Sequence, residues 1–520
     1  MTDAVLGQAP AAAVPRRLLI GWVAMVVGMF LAILDIQIVA SSLSDIQAGL
    51  AASPDEISWI QTAYLIAEVI MIPLSGYLAR MWGSRRLFVI SAIGFTAASF
   101  ACAFAWSLQS LIVLRVLQGF IGGGMIPCVF SSIYMIFPKE RQASANVVVG
   151  MIVTCAPAIG PTLGGFITDT FSWHWLFLIN VVPGLIIIML VSAMPDFDQA
   201  DPSLIRQIDL RGLVLMALFL GGLEFVLDEG PRDDWFDEPV ITFWTCVCSL
   251  SGVLFLWRCL TYHQPLIDLR IFANRNFFLG CLVAAVMGMG LFGGVYVTPL
   301  YLARVQHFNA LQIGTVMSIG GIAMFLTAPL AGRLAAAFGA RVVLAGGILL
   351  AACGFFGASL LSSEAAGDQL FWPLAIRGMG LVSMIITLNT IALGTLQLQQ
   401  MSNASGLYNL SRNMGGAMGL AAINTLLDRR FDLHLARLSD WINPVRPEFQ
   451  EFARQAGLYL DSAGLGSDQR VLALAQQLVS REALMMTFND IQLLMGAAIG
   501  VSLLLLPLMS PPRQAVSSAH

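Results

Sequence analysis

Asp35, Glu68 and Arg115 are ionisable residues set inside long apolar runs, and their placement is where chemistry is to be sought. A charge among hydrocarbon chains costs at least about 2.5–3.5 kcal/mol, so each needs a partner or a purpose. At about 1.5 Å rise per helical residue, Asp35 lies about 15 Å, Glu68 about 18 Å and Arg115 about 12 Å from the outer ends of their runs, a shared depth near the midplane. A carboxylate alternately paired with a guanidinium and buried alone changes its proton affinity by several units, which is the chemistry of a proton carrier. Asp35 is the first choice for the protonation site and Arg115 for its switchable counter-charge. Glu68 reads as a second proton site or as the anionic contact for a cationic ligand. The competing readings are a static Asp35–Arg115 pair that only fixes packing, and a Glu68 that faces a water-filled vestibule.

Other polar groups in apolar surroundings are fewer. Glu224 and Asp228, four apart on one helical face, read as structural. Asn409, Arg412 and Asn413 begin a later apolar run; Arg412 would shape an inner gate, contact an anionic group or snorkel to the headgroups. Tyr64, Tyr296 and Tyr408 are pocket candidates, since aromatic and thioether surfaces suit varied lipophilic guests. The histidines, His174, His263, His307, His434 and His520, are scattered, and neither His-Glu-x-x-His nor a P-loop occurs, which argues against metal chemistry and ATP hydrolysis.

The elements that position these groups follow from composition. Of 520 residues, 58% are hydrophobic and 11% charged, too little polar surface for a water-soluble fold. Net charge is −4 and Lys139 is the only lysine, so no basic face exists for nucleic acid. The eight cysteines lie in apolar stretches without metal or redox spacing. Runs of about 20 apolar residues predict fourteen spans near 16–45, 56–79, 86–106, 107–137, 143–168, 173–194, 210–228, 239–260, 277–303, 311–331, 341–362, 370–397, 404–428 and 487–510. The short connections on one side hold fifteen Lys and Arg residues, from Arg16 to Arg513, and those on the other only Arg232 and Arg304. That bias predicts a membrane protein with both termini cytoplasmic. The polar stretch 429–486 then lies outside as a small helical element.

Gly76-Tyr-Leu-Ala-Arg-Met-Trp-Gly83-Ser-Arg85 returns 256 residues later as Gly332-Arg-Leu-Ala-Ala-Ala-Phe-Gly339-Ala-Arg341, and Arg115-Val-Leu-Gln-Gly119 returns 262 later as Arg377-Gly-Met-Gly380. Two related halves, as in secondary transporters that alternate access, give this organisation: tail 1–15, six-helix bundle 16–194, linker and two inserted helices 195–262, six-helix bundle 263–510 and tail 511–520.

These repeats, with Leu34-Asp35-Ile-Gln-Ile-Val-Ala-Ser-Ser-Leu43, Arg115-Val-Leu-Gln-Gly119 and Ala156-Pro157-Ala-Ile-Gly160-Pro161-Thr-Leu-Gly164-Gly165, resemble the major facilitator superfamily and, within it, the fourteen-helix drug/proton antiporter family of the EmrB/QacA type. The resemblance implies an all-α polytopic membrane protein with the major facilitator fold. It also implies a multidrug efflux antiporter of the bacterial inner membrane for lipophilic or cationic compounds, driven by the proton gradient without a cofactor, with a periplasmic adaptor protein and an outer-membrane channel as partners. An importer or a lipid transporter on the same fold is the alternative. Pro157, Gly160, Pro161, Gly164 and Gly165 match the antiporter motif, which would seal the fifth helix against leak; ordinary close packing is the bland reading. Gly76, Arg80, Gly83, Arg85 and Arg86 match the cytoplasmic loop motif, except that Arg80 stands where the family has Asp, so the gate salt bridge of that Asp does not carry over.

Overall fold

A backbone crossing lipid finds no partner but itself, so each long apolar run closes into a helix. The computed structural model describes residues 14–53, 56–262, 265–308, 310–365, 367–443, 445–462 and 468–509, and among them there is no strand. Most of the tails expected at 1–15 and 511–520 thus lies outside the described residues. The long helices are α1 (Arg16–Ser41), α2 (Trp59–Trp82), α3 (Ser84–Cys102), α4 (Leu108–Ile136), α5 (Lys139–Thr170), α6 (Trp175–Ser192), α7 (Leu210–Glu229), α8 (Pro239–Thr261), α9 (Arg275–Arg304), α10 (Ala310–Phe338), α11 (Ala340–Ala358), α12 (Gly367–Leu393), α13 (Met401–Ser439) and α14 (Asp468–Val501). Twelve are long and apolar enough to cross a membrane; α5 and α13 complete the expected fourteen. α13 carries Asn403, Asn409, Arg412, Asn413 and Asn424 and owes its place to packing rather than apolarity.

The first six long helices pack into one bundle and the last six into another, with α7 against α8 and lodged beside α2 and α13. The halves meet along α5 with α10 and along α2 with α13. By the repeat, α2 corresponds to α10 and α5 to α13, so these two seams are counterparts. Gly83 and Gly339, which end α2 and α10, both take positive φ, +87° and +89°, a conformation that glycine adopts without cost.

The face where α1 begins is the near face. There the halves are packed: a Cβ at Gly76 would stand 2.9 Å from the Ser402 carbonyl and one at Gly406 3.1 Å from that of Ile72. Ser405 Oγ donates to the Pro127 carbonyl and Tyr134 OH to that of Asn389, each at 2.9 Å. On the far face the stretch expected as a separate element at 429–486 is largely a prolongation of two spans. α13 runs on to Ser439 and α14 begins at Asp468, with the short helix Pro447–Ser462 between them. His434 Nε2 lies 2.9 Å and an Arg430 nitrogen 3.5 Å from Asp490, which ties the prolongation of α13 to the start of the last span in α14.

Candidate functional site

Asp35, in the far half of α1, is the hub of a polar cluster inside the first bundle. Arg115 of α4 donates to Asp35 Oδ2 at 2.5 Å, and Asn180 Nδ2 and Gln118 Nε2 donate to Oδ1 at 2.7 and 3.2 Å. Gln118 also donates to Ser99 Oγ at 2.7 Å and accepts from Arg115 at 2.8 Å. The guanidinium lies 4.1 Å from the Tyr64 ring centre, and Arg115 Nε donates to the Ile60 carbonyl. Asp35 and Arg115 are both fully buried. The α6 helix breaks at Ile179 and Asn180, and that break places the Asn180 amide at the carboxylate.

A separate cavity of about 470 Å³ lies between the halves. Its wall comes from the far halves of α1, α2 and α9 and from residues 412–420 of α13, with Pro161 and Gly165 of α5 and Glu224 of α7. Apolar and aromatic residues such as Leu291, Phe292 and Tyr296 dominate; the polar groups are Gln37, Gln61, Glu68, Glu224, Arg412 and Asn413. Glu68, Glu224 and Arg412 are over nine-tenths buried, yet none has an ion-pair partner within 4.0 Å among the described residues. Glu68 Oε1 and Arg412 Nε make no hydrogen bond. Desolvated and without ion pairs among the described residues, these ionisable groups are the polar anchors of an otherwise apolar wall.

The Major Facilitator Superfamily model matches residues 25–420. The chain belongs to that superfamily. It is 43% identical, over 90% of its length and 91% of the relative's, to the colistin resistance protein EmrB of Acinetobacter baumannii. With the multidrug export protein EmrB of Escherichia coli K12 it shares 31% identity over 95% of each chain. The human organic anion transporter MFSD10 has the same fold, with a TM-score of 0.57 at 14% identity, over 95% of this chain and all of that one. The protein is therefore a multi-pass membrane transporter of the major facilitator fold, not an enzyme.

Placed on that fold, the predicted site residues divide. Asp35 and Arg115 are brought together, but beneath the cavity wall, while Glu68 lines the cavity. Tyr296 and Arg412 line it too. Tyr64, Tyr408 and Asn409 do not: Tyr64 lies under the Arg115 guanidinium, Tyr408 is buried, and Asn409 donates back to the Ser405 carbonyl at 2.9 Å. Arg412 does not snorkel; it is buried over the Phe130 ring. Glu224, read as structural, faces the cavity, whereas Asp228 accepts a hydrogen bond from Thr62 of α2.

In the antiporter motif, Pro161 and Gly165 line the cavity, Gly160 admits Gln37 of α1, and the Gly164 carbonyl accepts from Thr168 Oγ1 at 3.2 Å. α5 continues through Pro157 and Pro161 without interruption. Thr162, within the motif, fills the space a side chain at Gly314 of α10 would need, so this stretch forms part of the seam between halves. In the loop motif, Gly76 makes the near-face contact, Gly83 turns the chain, and Arg85 donates to Asp196 at 2.6 Å and to the Met194 carbonyl at 2.7 Å. Arg86 lies 3.9 Å from Asp196, and Arg80 packs on the Tyr77 ring. The acidic partners of this loop come from the segment after α6, with Asp198 accepting from the Ser84 amide at 2.6 Å. Residue type in apolar runs could have flagged Ser99, Gln118, Asn180, Gln37 and Gln61, but not which way each faces.

Proposed function

We propose that this transporter is a proton-coupled multidrug efflux antiporter that exports lipophilic, cationic compounds across the bacterial inner membrane. The observation that carries this reading is the cavity, packed shut on the near face and walled by apolar and aromatic groups with two unpaired carboxylates against one guanidinium. An amphipathic cation satisfies Glu68 or Glu224 while its body covers the apolar wall. The relatives' names, multidrug export and colistin resistance, support drugs as the cargo, and the arginine bias supports a cytoplasmic near face. The proton gradient is the energy source, with no cofactor. Asp35 takes up the proton when Arg115 is drawn from it, and Glu68 exchanges proton for cation in the cavity. The prolongations of α13 and α14 are where a periplasmic adaptor, itself joined to an outer-membrane channel, would dock.

Proteoliposomes carrying a pH gradient and challenged with ethidium test this. Substrate entry drives protons the opposite way; Asp35→Asn abolishes the coupled flux while ethidium still binds, and Glu68→Gln weakens ethidium binding itself. Ethidium moving without protons in the wild type refutes the antiport reading.

A further inference from the structure

The internal repeat sets two arginines in equivalent places, and they are treated differently. Arg115 has Asp35 as its counter-charge. Arg377, its counterpart on α12, is 7% exposed and makes no ion pair among the described residues. It donates to Thr298 Oγ1 at 3.2 Å and to the Gly294 carbonyl at 3.4 Å, and lies 5.1 Å from the Phe355 ring centre. The counterpart of α1 is α9, which carries no acidic residue at all. From 275 to 401 the only acidic residues are Glu364 and Asp368, and Asp368 is nine residues, about 13 Å of helix, from Arg377. A buried cation without an anion is costly.

Where the first half has a carboxylate, the second has space. A cavity of about 40 Å³ adjoins Arg377, and Gly290, Gly294, Gly320, Gly321 and Gly378 line it. One water needs about 10–15 Å³ on this measure, so a small anion with a water, or a carboxylate head, fits. The glycines expose backbone on part of the wall, which lets an anion come close to the guanidinium, while Leu291, Val295, Met317, Met324, Leu374 and Leu381 complete it. Leu291 and Val295 border both this cavity and the larger one.

We propose that Arg377 and the glycine-lined cavity beside it form an anion site, taking a small monovalent anion or the carboxylate head of an amphipathic guest, as an exchangeable substitute for Asp35. The test uses the purified full-length protein in detergent, with thermal unfolding followed by tryptophan fluorescence. Chloride replaces gluconate at constant ionic strength and pH, and octanoate is titrated separately. Wild type shows a saturable rise in midpoint; Arg377→Met loses it. Gly294→Asp sets a carboxylate against the guanidinium, a Cβ there being 3.2 Å from the Arg377 guanidinium carbon, so it raises the midpoint in gluconate and removes the response. A response to octanoate alone assigns the site to a carboxylate head whose chain enters the larger cavity. No saturable response in wild type to either anion, or equal responses in wild type and Gly294→Asp, overturns the proposal.

Discussion

At the scale of the residue, the Asp35–Arg115 pair is stabilising only as a pair. Both charges are wholly buried, so removing one strands the other, at a cost of about 3–5 kcal/mol, whereas removing both leaves an apolar gap that costs much less. Asp35→Leu should therefore lower the thermal midpoint in detergent more than Asp35→Leu with Arg115→Leu. A double variant less stable than the single one would show that Arg115 is held mainly by Gln118, the Ile60 carbonyl and the Tyr64 ring. The sequence made this pair legible, because two opposite charges at one depth in apolar helices have few alternatives. It did not make Asn180 legible as a partner, since that amide reaches Asp35 only through the break in α6. Nor did it separate Glu68, in the cavity, from Tyr64, four residues earlier and under the guanidinium. Those lie one turn apart on nearly the same face of α2, and the neighbouring helices decide which of them meets the cavity.

At the scale of the element, close approaches of backbone separate what holds a half together from what joins the halves. Gly288 of α9 sits against the Arg412 carbonyl of α13, within the second bundle. Gly76 of α2 sits against Ser402 and Asn403 of α13, across the halves. Gly288→Val should therefore lower folding yield and midpoint, while Gly76→Val should leave the midpoint nearly unchanged and open the near face. Alkylation of a cysteine placed at Ser405 by a water-soluble maleimide reads that opening. Unchanged labelling in Gly76→Val would mean the α2–α13 contact does not close that face.

The inserted pair α7 and α8 is pinned at its start. Asp209 caps α7 by accepting from the Gly212 amide at 2.9 Å and receives Arg258 of α8 at 2.7 Å. Burial alone disfavours the Asp209 carboxylate, but the Arg258 and backbone hydrogen bonds outweigh it and hold its carboxyl below the usual value. A carboxyl with a lowered pKa in the folded state contributes stability above the unfolded value, about 3.8, and loses it as pH falls through the folded value. The midpoint gap between wild type and Asp209→Asn should thus be present at neutral pH and close in acid below about 3.8. A gap that persists in acid would assign the loss to packing. The two inserted spans were plain from hydropathy. That α7 reaches the central cavity through Glu224 was not, because an insertion carries no repeat partner to say which face turns inward.

At the scale of the whole molecule, the two seams α2–α13 and α5–α10 are repeat counterparts but are not closed alike. α2 and α13 touch near Gly76 and Gly406 and part around the cavity, where Gln61, Leu65 and Glu68 face Arg412, Asn413 and Gly416. Export by rocking requires the near-face contact to separate as the far halves of these helices approach. A covalent tie across the near face should trap the arrangement seen here. The ideal Cβ at Gly332 of α10 lies 3.9 Å from the Val147 Cβ of α5, within the range of a disulfide between cysteines at the two positions. Oxidised Gly332→Cys with Val147→Cys should bind ethidium presented to the far face, yet carry out no substrate-driven proton flux, and a reductant should restore the flux. Because the tie sits across the halves and away from Asp35, Glu68 and the cavity wall, lost flux with preserved binding isolates the movement from the chemistry. Flux that continues with the disulfide formed would mean that the near face opens elsewhere, along α2 and its seam with α13.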